Sequence, residues 1–442
     1  MSSVRFVTFG CKANQYDTQV LREALVRRGW DETGAGSAAD LVVINTCTVT
    51  AEAGRKARQL ARRLAREAPA TRIAMTGCLA ESEPEILREL PNVEWVLGNG
   101  EAKRPVHFLR ELGHELDPEE LGIPSGITEF AGHQRAFLKI QDGCDMACAF
   151  CIIPKVRGRS RSRPIPELTA EVARLLASGH REIVLCGIHI GHWGRDLGQD
   201  LGELLAALCA VEAEEPDGAP VDWRLRLSSI EATEVTDAVV DAMLAYPRRI
   251  AAHLHMPMQS GDDGVLRAMN RWYDVDTYLG HCDRIRAALD RPAFTADVLV
   301  GFPGEDDRAF ENTLETVQRA SFSRVHVFPF SPRPGTAAEV PSALGTPVPP
   351  PVVRERRALL SEVAARCSDT FRRSLAGAHD ALALEGTVGL SGRYQRVRVP
   401  LDALPARPRG LVDVELSVVE KGEDEVELIG RPLAGAVLEG AR

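Results

Sequence analysis

Six cysteines in two groups of three are the residues most able to carry chemistry in this sequence. One group lies on a single short segment with the spacing C-x3-C-x2-C. Its members are Cys144, Cys148 and Cys151, with Phe150 directly before the last cysteine. Three thiolates this close suit an iron–sulfur cluster, because cysteine sulfur is the usual ligand of cluster iron. The alternative is a zinc site, for which Asp142 or Asp145 would have to supply a fourth ligand.

The second group is spread along the chain and depends on the fold to come together. A short apolar strand followed by an amphipathic helix recurs through residues 4–90, which predicts an open parallel α/β sheet. A cysteine follows the end of each predicted strand, at 4–9, 41–45 and 72–76: Cys11, Cys47 and Cys78. Since the ligand site of such a sheet lies at that edge, we expect three thiols on one rim. The alternative is three structural cysteines in the core.

A longer series of alternating strands and helices follows residue 133. Six predicted strands make a parallel partial barrel, whose chemistry belongs at the carboxyl ends of the strands. They are predicted at 135–141, 182–187, 223–227, 253–256, 295–301 and 324–330. The predicted cofactor-binding residues, four of them at strand ends, are Phe150, Gly187, Ser228, Gln259 and Gly301.

Changes in pattern divide the chain into three predicted domains. Residues 105–132 contain several prolines and glycines and predict a linker between a first domain at 1–104 and a barrel domain at 133–371. Beyond residue 377 the hydrophobic period changes to two, which predicts a small β-barrel at 377–442. The predicted fold class is therefore α/β, with an open sheet, a (βα)6 partial barrel and a C-terminal β-barrel.

Charge and composition restrict the class of protein. The 442 residues carry 53 Lys and Arg against 63 Asp and Glu, a net charge of −10, so any nucleic-acid site must be a local patch. An apolar content of 44% excludes a disordered or fibrous chain. No apolar run reaches the roughly 18 to 20 residues of a membrane span, and residues 1–10 lack the order of a signal peptide. We expect a cytoplasmic protein with no membrane partner.

These motifs resemble those of the methylthiotransferases, a family of radical S-adenosylmethionine enzymes, over nearly the whole chain. The resemblance rests on segments 9–17, 45–50, 77–78, 139–154, 253–261 and 296–305. It implies an N-terminal cluster domain, a radical barrel and a small C-terminal barrel that binds RNA. It also implies two [4Fe–4S] clusters and S-adenosylmethionine as cofactors.

The resemblance gives each cysteine group a role. The cluster on Cys144, Cys148 and Cys151 would bind S-adenosylmethionine and cleave it to the deoxyadenosyl radical. The cluster on the other three, Cys11, Cys47 and Cys78, would hold the sulfur and deliver it to the substrate radical. Both groups would then have to face one cavity between the domains.

Within the family, segments 11–16 and 45–50 resemble the branch that methylthiolates C2 of N6-threonylcarbamoyladenosine at position 37 of tRNA. The implied partners are the anticodon stem-loop of tRNA, an electron donor such as flavodoxin or ferredoxin, and a sulfur donor of unknown identity. Alternatives are the same chemistry on N6-isopentenyladenosine or on an aspartate of a ribosomal protein. A non-catalytic iron–sulfur protein that binds RNA or carries electrons is the alternative of another class. Two groups of three cysteines argue against it, since such clusters usually take four protein ligands.

Basic residues occupy every second position after the cysteine loop. If that segment is extended, all five side chains lie on one face at a spacing of about 6.6 Å, close to that of phosphates along a nucleic acid. These residues are Lys155, Arg157, Arg159, Arg161 and Arg163. They predict contact with the tRNA backbone, and the alternative is a solvated edge strand protected by its charge. The C-terminal module is not broadly basic, with eight Lys and Arg against eleven Asp and Glu from residue 377 onward.

Overall fold

The computed structural model describes residues 2–34, 36–100, 104–115, 126–130, 134–404, 410–421 and 426–433. The strands in these ranges are β1 Ser3–Thr8, β2 Asp31–Glu32, β3 Leu41–Thr46, β4 Arg72–Gly77, β5 Val93–Leu97, β6 Arg135–Lys139, β7 Gln141–Asp142, β8 Arg161–Ser162, β9 Glu182–Cys186, β10 Arg224–Leu227, β11 His253–His255, β12 Ala293–Val300, β13 Arg324–Pro329, β14 His379–Glu385, β15 Val388–Ser391, β16 Arg396–Arg398, β17 Val412–Glu420 and β18 Val426–Pro432. The α-helices are α1 Lys12–Arg27, α2 Ala51–Glu67, α3 Cys78–Ser82, α4 Pro84–Arg88, α5 Pro105–Glu111, α6 Ile153–Arg157, α7 Ile165–Ala177, α8 Leu201–Cys209, α9 Asp237–Ala245, α10 Asp263–Ala268, α11 Val275–Ala288, α12 Asp307–Ala320 and α13 Pro350–Ser374. No helix within the described ranges is long and apolar enough to cross a membrane.

The N-terminal sheet is parallel throughout, in the strand order β2-β1-β3-β4-β5. Its central strand β3 is buried along its whole length, because α2 packs on one face and α1 with α5 on the other. The predicted open parallel sheet is therefore confirmed. The first part of the predicted linker forms α5, whereas 116–125 and 131–132 of that linker lie outside the described residues.

The central strands form two parallel sheets, in the orders β10-β9-β6 and β11-β12-β13. Isolated bridges from Leu225 to Ile250 and from Ser229 to His255 join the sheets into one arc of six strands. The outer face of the arc packs against α7 to α13 in a continuous apolar core. The prediction of a six-stranded parallel partial barrel is confirmed.

The C-terminal strands close into a barrel in the order β14-β15-β16-β18-β17, as the period of two predicts. This barrel docks at the amino ends of the central strands, where two arginines of β10 donate to its main-chain carbonyls. Arg224 contacts Leu390 at 2.7 Å, and Arg226 contacts Ser391 at 2.8 Å. Glu182, at the start of β9, accepts from both guanidinium groups at 2.6 to 2.9 Å. A buried ion triad therefore joins the barrel to the arc.

Of the three residues in the ion triad, Glu182 is the one whose replacement should weaken the contact between the barrel and the arc most. Burial alone would raise the pKa of Glu182, but Arg226 and Arg224 outweigh it and hold the pKa at about 2. Glu182→Ala leaves two buried guanidinium groups unpaired, so we expect the free energy of unfolding to fall by about 3 to 5 kcal/mol at neutral pH. Urea unfolding measures this loss, with Glu212→Ala at an exposed position as the control.

The same carboxylate predicts a dependence of stability on pH. Because its pKa is depressed in the folded protein, its contribution is complete above the unfolded value of about 4.3. It is lost as the pH falls toward the folded value of about 2. The stability difference between wild type and Glu182→Ala should therefore shrink at acid pH. An equal difference at pH 7 and pH 3 would contradict the role of the charge.

Candidate cluster and cofactor site

The loop that carries Cys144, Cys148 and Cys151 begins directly after β7, at the carboxyl side of the arc. Gly143 precedes it with a φ of +78°, and a side chain there would come within 1.9 Å of the Arg159 carbonyl oxygen. Only glycine fits this turn. Burial raises the pKa of Cys151 to about 12, and the neighbouring thiols of Cys148 and Cys144 add to the rise. The three sulfur atoms therefore lie within electrostatic reach of one another.

Arg271 places a positive charge beside Cys148. Its Nη1 lies 3.2 Å from the Cys148 sulfur, and its Nη2 pairs with Glu231 and with the Tyr273 hydroxyl. Burial raises the pKa of Cys148, and the guanidinium of Arg271 counteracts that rise. The Nε of Arg271 is buried and has no hydrogen-bond partner among the described residues. Because an unpaired buried donor is costly, this nitrogen marks a place for an acceptor that a ligand would bring.

His189 makes the matching contact with Cys144. Its Nδ1 lies 3.4 Å from the Cys144 sulfur, and its Nε2 lies 2.7 Å from a carboxylate oxygen of Glu234. His192 stacks on His189 at 3.8 Å and reaches the other oxygen of Glu234 at 3.0 Å. Burial alone would lower the pKa of His189, but Cys144 and Glu234 outweigh it and raise the pKa to about 9. The two histidines and Glu234 satisfy one another and together form a polar support behind Cys144.

The sheet brings the other three cysteines together from distant positions. Cys11 caps the start of α1, Cys47 follows β3, and Cys78 begins α3 directly after β4. Burial raises the pKa of Cys47 to about 11, and the thiols of Cys78 and Cys11 contribute to the rise. Cys78 also packs with Ile152 and Val156, which follow the cysteine loop of the arc. This triplet therefore lies at the contact between the N-terminal sheet and the arc.

Arg157 joins the two triplets across that contact. Its guanidinium donates to Asp142 at 2.8 Å and to Asp17 at 3.1 Å, and it also contacts Asn14. Lys139 adds ion pairs with the same two carboxylates. Burial alone would lower the pKa of Arg157, but the carboxylates outweigh it, and the thiols of the N-terminal triplet raise it further. The interface is therefore a compensated network of buried charges.

The predicted basic stripe is not one extended segment. Ile153–Arg157 is a helix, and Gly158 then turns the chain with a φ of +72°. Arg157 is 4% exposed, and Arg163 pairs with Glu171 at 2.7 Å. The prediction that all five side chains share one face is wrong, because a helix places alternate residues on different sides. The exposed members, here named the exposed loop cations, are Lys155, Arg159 and Arg161.

The residues predicted to bind a cofactor lie at the carboxyl side of the arc or in the cysteine loop. They are Phe150, Gly187, Ser228, Gln259 and Gly301. Gly187 lies against Gln141, where a Cβ would come within 2.9 Å of the carbonyl oxygen. Gly301 has a φ of +82°, and a Cβ there would meet the Val353 side chain of α13 at 2.5 Å. Packing against α13 therefore explains why position 301 holds glycine. The cofactor contacts of all five residues stay a prediction.

Sequence patterns missed three charged residues of this site. Glu231 and Glu234 follow the end of β10, so the rule that ligands gather at strand ends could have found them. Arg271 follows α10 and a left-handed Asn270 with a φ of 57°, away from any strand end. No sequence signal marks it.

Two family models match the chain, one on each side of the contact just described. Residues 3–98 match the uncharacterized protein family UPF0004, and residues 138–317 match the radical SAM superfamily. A solved structure of the radical S-adenosylmethionine methyltransferase TsrM from Kitasatospora setae has a TM-score of 0.54 at 15% identity. It covers 76% of this chain and 77% of that one, and the likeness concerns the fold alone.

Several relatives are similar over most of their length. A threonylcarbamoyladenosine tRNA methylthiotransferase of Thermotoga maritima is 37% identical, over 85% of this chain and 85% of its own. One of Bacillus subtilis is 37% identical, over 76% of this chain and 75% of its own. A tRNA-2-methylthio-N(6)-dimethylallyladenosine synthase of Frankia alni is 36% identical, over 92% of this chain and 84% of its own.

The side chains of the radical-type triplet fit the cofactors that the superfamily implies, a [4Fe–4S] cluster and S-adenosylmethionine. Three thiols from one loop suit the cluster, and the unpaired donor of Arg271 suits an anionic group of the cofactor. Shared length, identity and both matched families lead to one conclusion. The chain belongs to the methylthiotransferase family of radical S-adenosylmethionine enzymes.

Proposed function

We propose that this enzyme adds a methylthio group to C2 of N6-threonylcarbamoyladenosine at position 37 of tRNA. The relatives of Thermotoga maritima and Bacillus subtilis, which carry that nucleoside in their names, support the substrate. The observation that carries the proposal is the pair of thiol triplets joined by one buried arginine, Arg157. Substitution at an unactivated C–H bond needs one site that makes a radical and a second that supplies sulfur, and two adjacent triplets meet that need.

The side chains divide the work between the two sites. When bound, the two clusters and S-adenosylmethionine supply a carbon radical and the sulfur that is transferred. Cys144, Cys148 and Cys151 hold the first cluster, and Arg271 offers its unpaired Nε to the anionic part of the cofactor. The second cluster is held by Cys11, Cys47 and Cys78. Arg157 and its carboxylates keep the two sites in register, and Arg157 and Asp17 are buried at their contact. An electron donor such as flavodoxin or ferredoxin would supply the electrons that this radical chemistry consumes.

A groove beside the arc offers a surface for the tRNA. It has a volume of about 810 Å³ and lies between β13, α13 and the C-terminal barrel. Arg324, Arg357 and Arg396 line it, and no carboxylate in the described part of the chain pairs with them. Phe328 adds an exposed aromatic surface on which a base can stack, whereas the Tyr394 ring already stacks on His253 at 4.4 Å. Unpaired cations beside an exposed ring suit a single strand of RNA, and the exposed loop cations form a second basic surface after the cysteine loop.

N6-dimethylallyladenosine, also called isopentenyladenosine, is the second candidate substrate. The tRNA-2-methylthio-N(6)-dimethylallyladenosine synthase of Frankia alni supports it, because that relative is 36% identical to this chain. Mass spectrometry of tRNA nucleosides from cells with and without the gene separates the two. We expect the methylthio derivative of N6-threonylcarbamoyladenosine to disappear when the gene is removed, with its unmethylthiolated precursor retained. Loss of the methylthio derivative of isopentenyladenosine instead would overturn the proposed substrate.

If the two cysteine triplets have separate roles, replacing each should remove a different part of the iron content and activity. Anaerobically reconstituted protein should hold about eight irons, four for each cluster. Replacing the N-terminal triplet with alanine should remove roughly half of the iron and abolish the methylthio product, while deoxyadenosine still forms from S-adenosylmethionine. Cys144→Ala with Cys148→Ala should lose the other half and stop both reactions. Iron analysis and chromatography of the products check this, and methylthiolated tRNA from the first variant would refute the division of roles.

The two basic surfaces predict changes in the salt dependence of tRNA binding. Each phosphate contact that is lost should lower the slope of log affinity against log salt by about 0.7 to 0.9. Arg357→Ala with Arg396→Ala in the groove should therefore lower it by about 1.4 to 1.8, and so should Arg159→Ala with Arg161→Ala. Fluorescence anisotropy with an anticodon stem-loop RNA measures the slope.

A matched pair on α13 controls for general effects of charge. Arg366 and Arg373 pair with Glu362 and Glu420 and do not line the groove, so their double alanine variant should keep the wild-type slope. If the groove pair and the loop pair both keep it as well, neither surface contacts the tRNA backbone.

A further inference from the structure

The inner face of the arc carries polar side chains at its open edge. Strand register aligns His255 with Thr295 and Asp297 with His326, on β11, β12 and β13. Alternate residues of β12 belong to the outer core, so Thr295 and Asp297 point to the inside, which we call the lumen. His255 Nε2 lies 3.5 Å from Asp297 Oδ1, and the rings of His255 and His326 are 6.1 Å apart. Two imidazoles and a carboxylate therefore line the lumen.

Lys12 brings a positive charge to this lumen from the N-terminal sheet. It is the first residue of α1 and directly follows Cys11. Burial is the main cause that lowers the pKa values of His253 and His326, and the charge of Lys12 adds to both. The helix α1 packs against β6, the first strand of the arc, so its first residue lies beside the arc. The effect of Lys12 on histidines of β11 and β13 agrees with that position. Among the described residues, no acceptor pairs with the Lys12 ammonium group.

These groups match the side chain that distinguishes N6-threonylcarbamoyladenosine from other modified adenines. A threonylcarbamoyl group carries a carboxylate, a hydroxyl and ureido N–H groups. A lysine ammonium makes a charge-assisted hydrogen bond to a carboxylate, and an aspartate accepts from N–H or O–H. A dimethylallyl group offers none of these and would cover Lys12 without giving it a partner, which is costly.

We propose that Lys12, His255, Asp297 and His326 form the site that recognises the carboxylate-bearing side chain of the substrate base. Lys12 binds the carboxylate, and Asp297 accepts from the ureido or hydroxyl group. The two histidines fix Asp297 and close the lumen around the side chain. This inference rests on the proposed function and deepens it, because it names the residues that select the threonylcarbamoyl group.

The test combines one variant with one change in the substrate. Anticodon stem-loop RNA with N6-threonylcarbamoyladenosine is compared with the same RNA bearing the methyl ester of the threonyl carboxylate, by anisotropy with the anaerobically reconstituted protein. Wild type should bind the acid about 10- to 100-fold more tightly, the range for one hydrogen bond to a charged group. Lys12→Met should bind acid and ester equally, and Lys12→Arg should restore a preference for the acid. Lys56→Met, at an exposed site of the same sheet, should keep the full preference.

Each outcome decides the inference. Equal binding of acid and ester by wild type overturns it without any variant, and so does a Lys12→Met protein of full iron content that keeps the preference. If Lys12→Met loses iron, His326→Leu replaces it, because His326 lies on β13 away from the cysteines and supports Asp297. That variant is compared with wild type on RNA that carries the threonylcarbamoyl group and on the same RNA with unmodified adenosine. A ratio of the two affinities equal to that of wild type also overturns the inference. By contrast, a wild-type enzyme that methylthiolates dimethylallyladenosine RNA and not threonylcarbamoyladenosine RNA overturns the proposed function itself.

Discussion

A network of buried charges around the guanidinium of Arg157 fixes the relation between the two halves of the candidate site. A charge in the interior is tolerated only when it is paired, and Asp142 from the arc and Asp17 from α1 both pair with this one. Neither half can move without leaving a charge unpaired. Arg157 and Asp17 each lie on a helix next to one of the cysteine triplets, so their ion pair also holds the triplets in place. Arg157 ends the helix that follows one cysteine triplet, and Asp17 lies on the helix that Cys11 begins. Electrostatics thus sets the spacing between the two triplets.

A second network of buried ion pairs lies at the amino ends of the central strands, where it holds the C-terminal barrel. Glu182 compensates Arg224 and Arg226, and these arginines anchor the C-terminal barrel. The proposed reaction site lies at the carboxyl ends of the central strands, and the proposed RNA-binding barrel lies at their amino ends. The groove along β13 and α13 runs between the two, and the free edge of β13 borders the lumen. In the proposed function, an RNA strand follows this groove from the barrel toward the proposed reaction site.

Hydrophobic periodicity predicted the strands and helices, because these elements depend on residues close together in the sequence. Strand period was sufficient for the sheet and the arc, and the cluster role of both cysteine triplets stays a prediction. The basic stripe failed because alternating charge from Lys155 to Arg163 has the period of a strand, whereas the position of Arg157 is decided by Asp17, 140 residues earlier in the chain. Arg224, Arg226 and Glu182 show the same limit. Charged residues in a strand predict a solvent-exposed position. Only the folded structure shows that these three side chains form ion pairs in the interior.

The way in which the barrel is held has a consequence for how this enzyme can diversify. Arg224 and Arg226 hold it through carbonyl oxygens of Ala381, Leu390, Ser391 and Gly392. Every residue type presents a main-chain carbonyl, so these contacts tolerate almost any sequence in the barrel. Mutations that alter the barrel side chains of the proposed RNA groove therefore leave these bonds intact. Selection can change the proposed RNA-contacting surface of the barrel while these main-chain contacts with the arc are inherited unaltered.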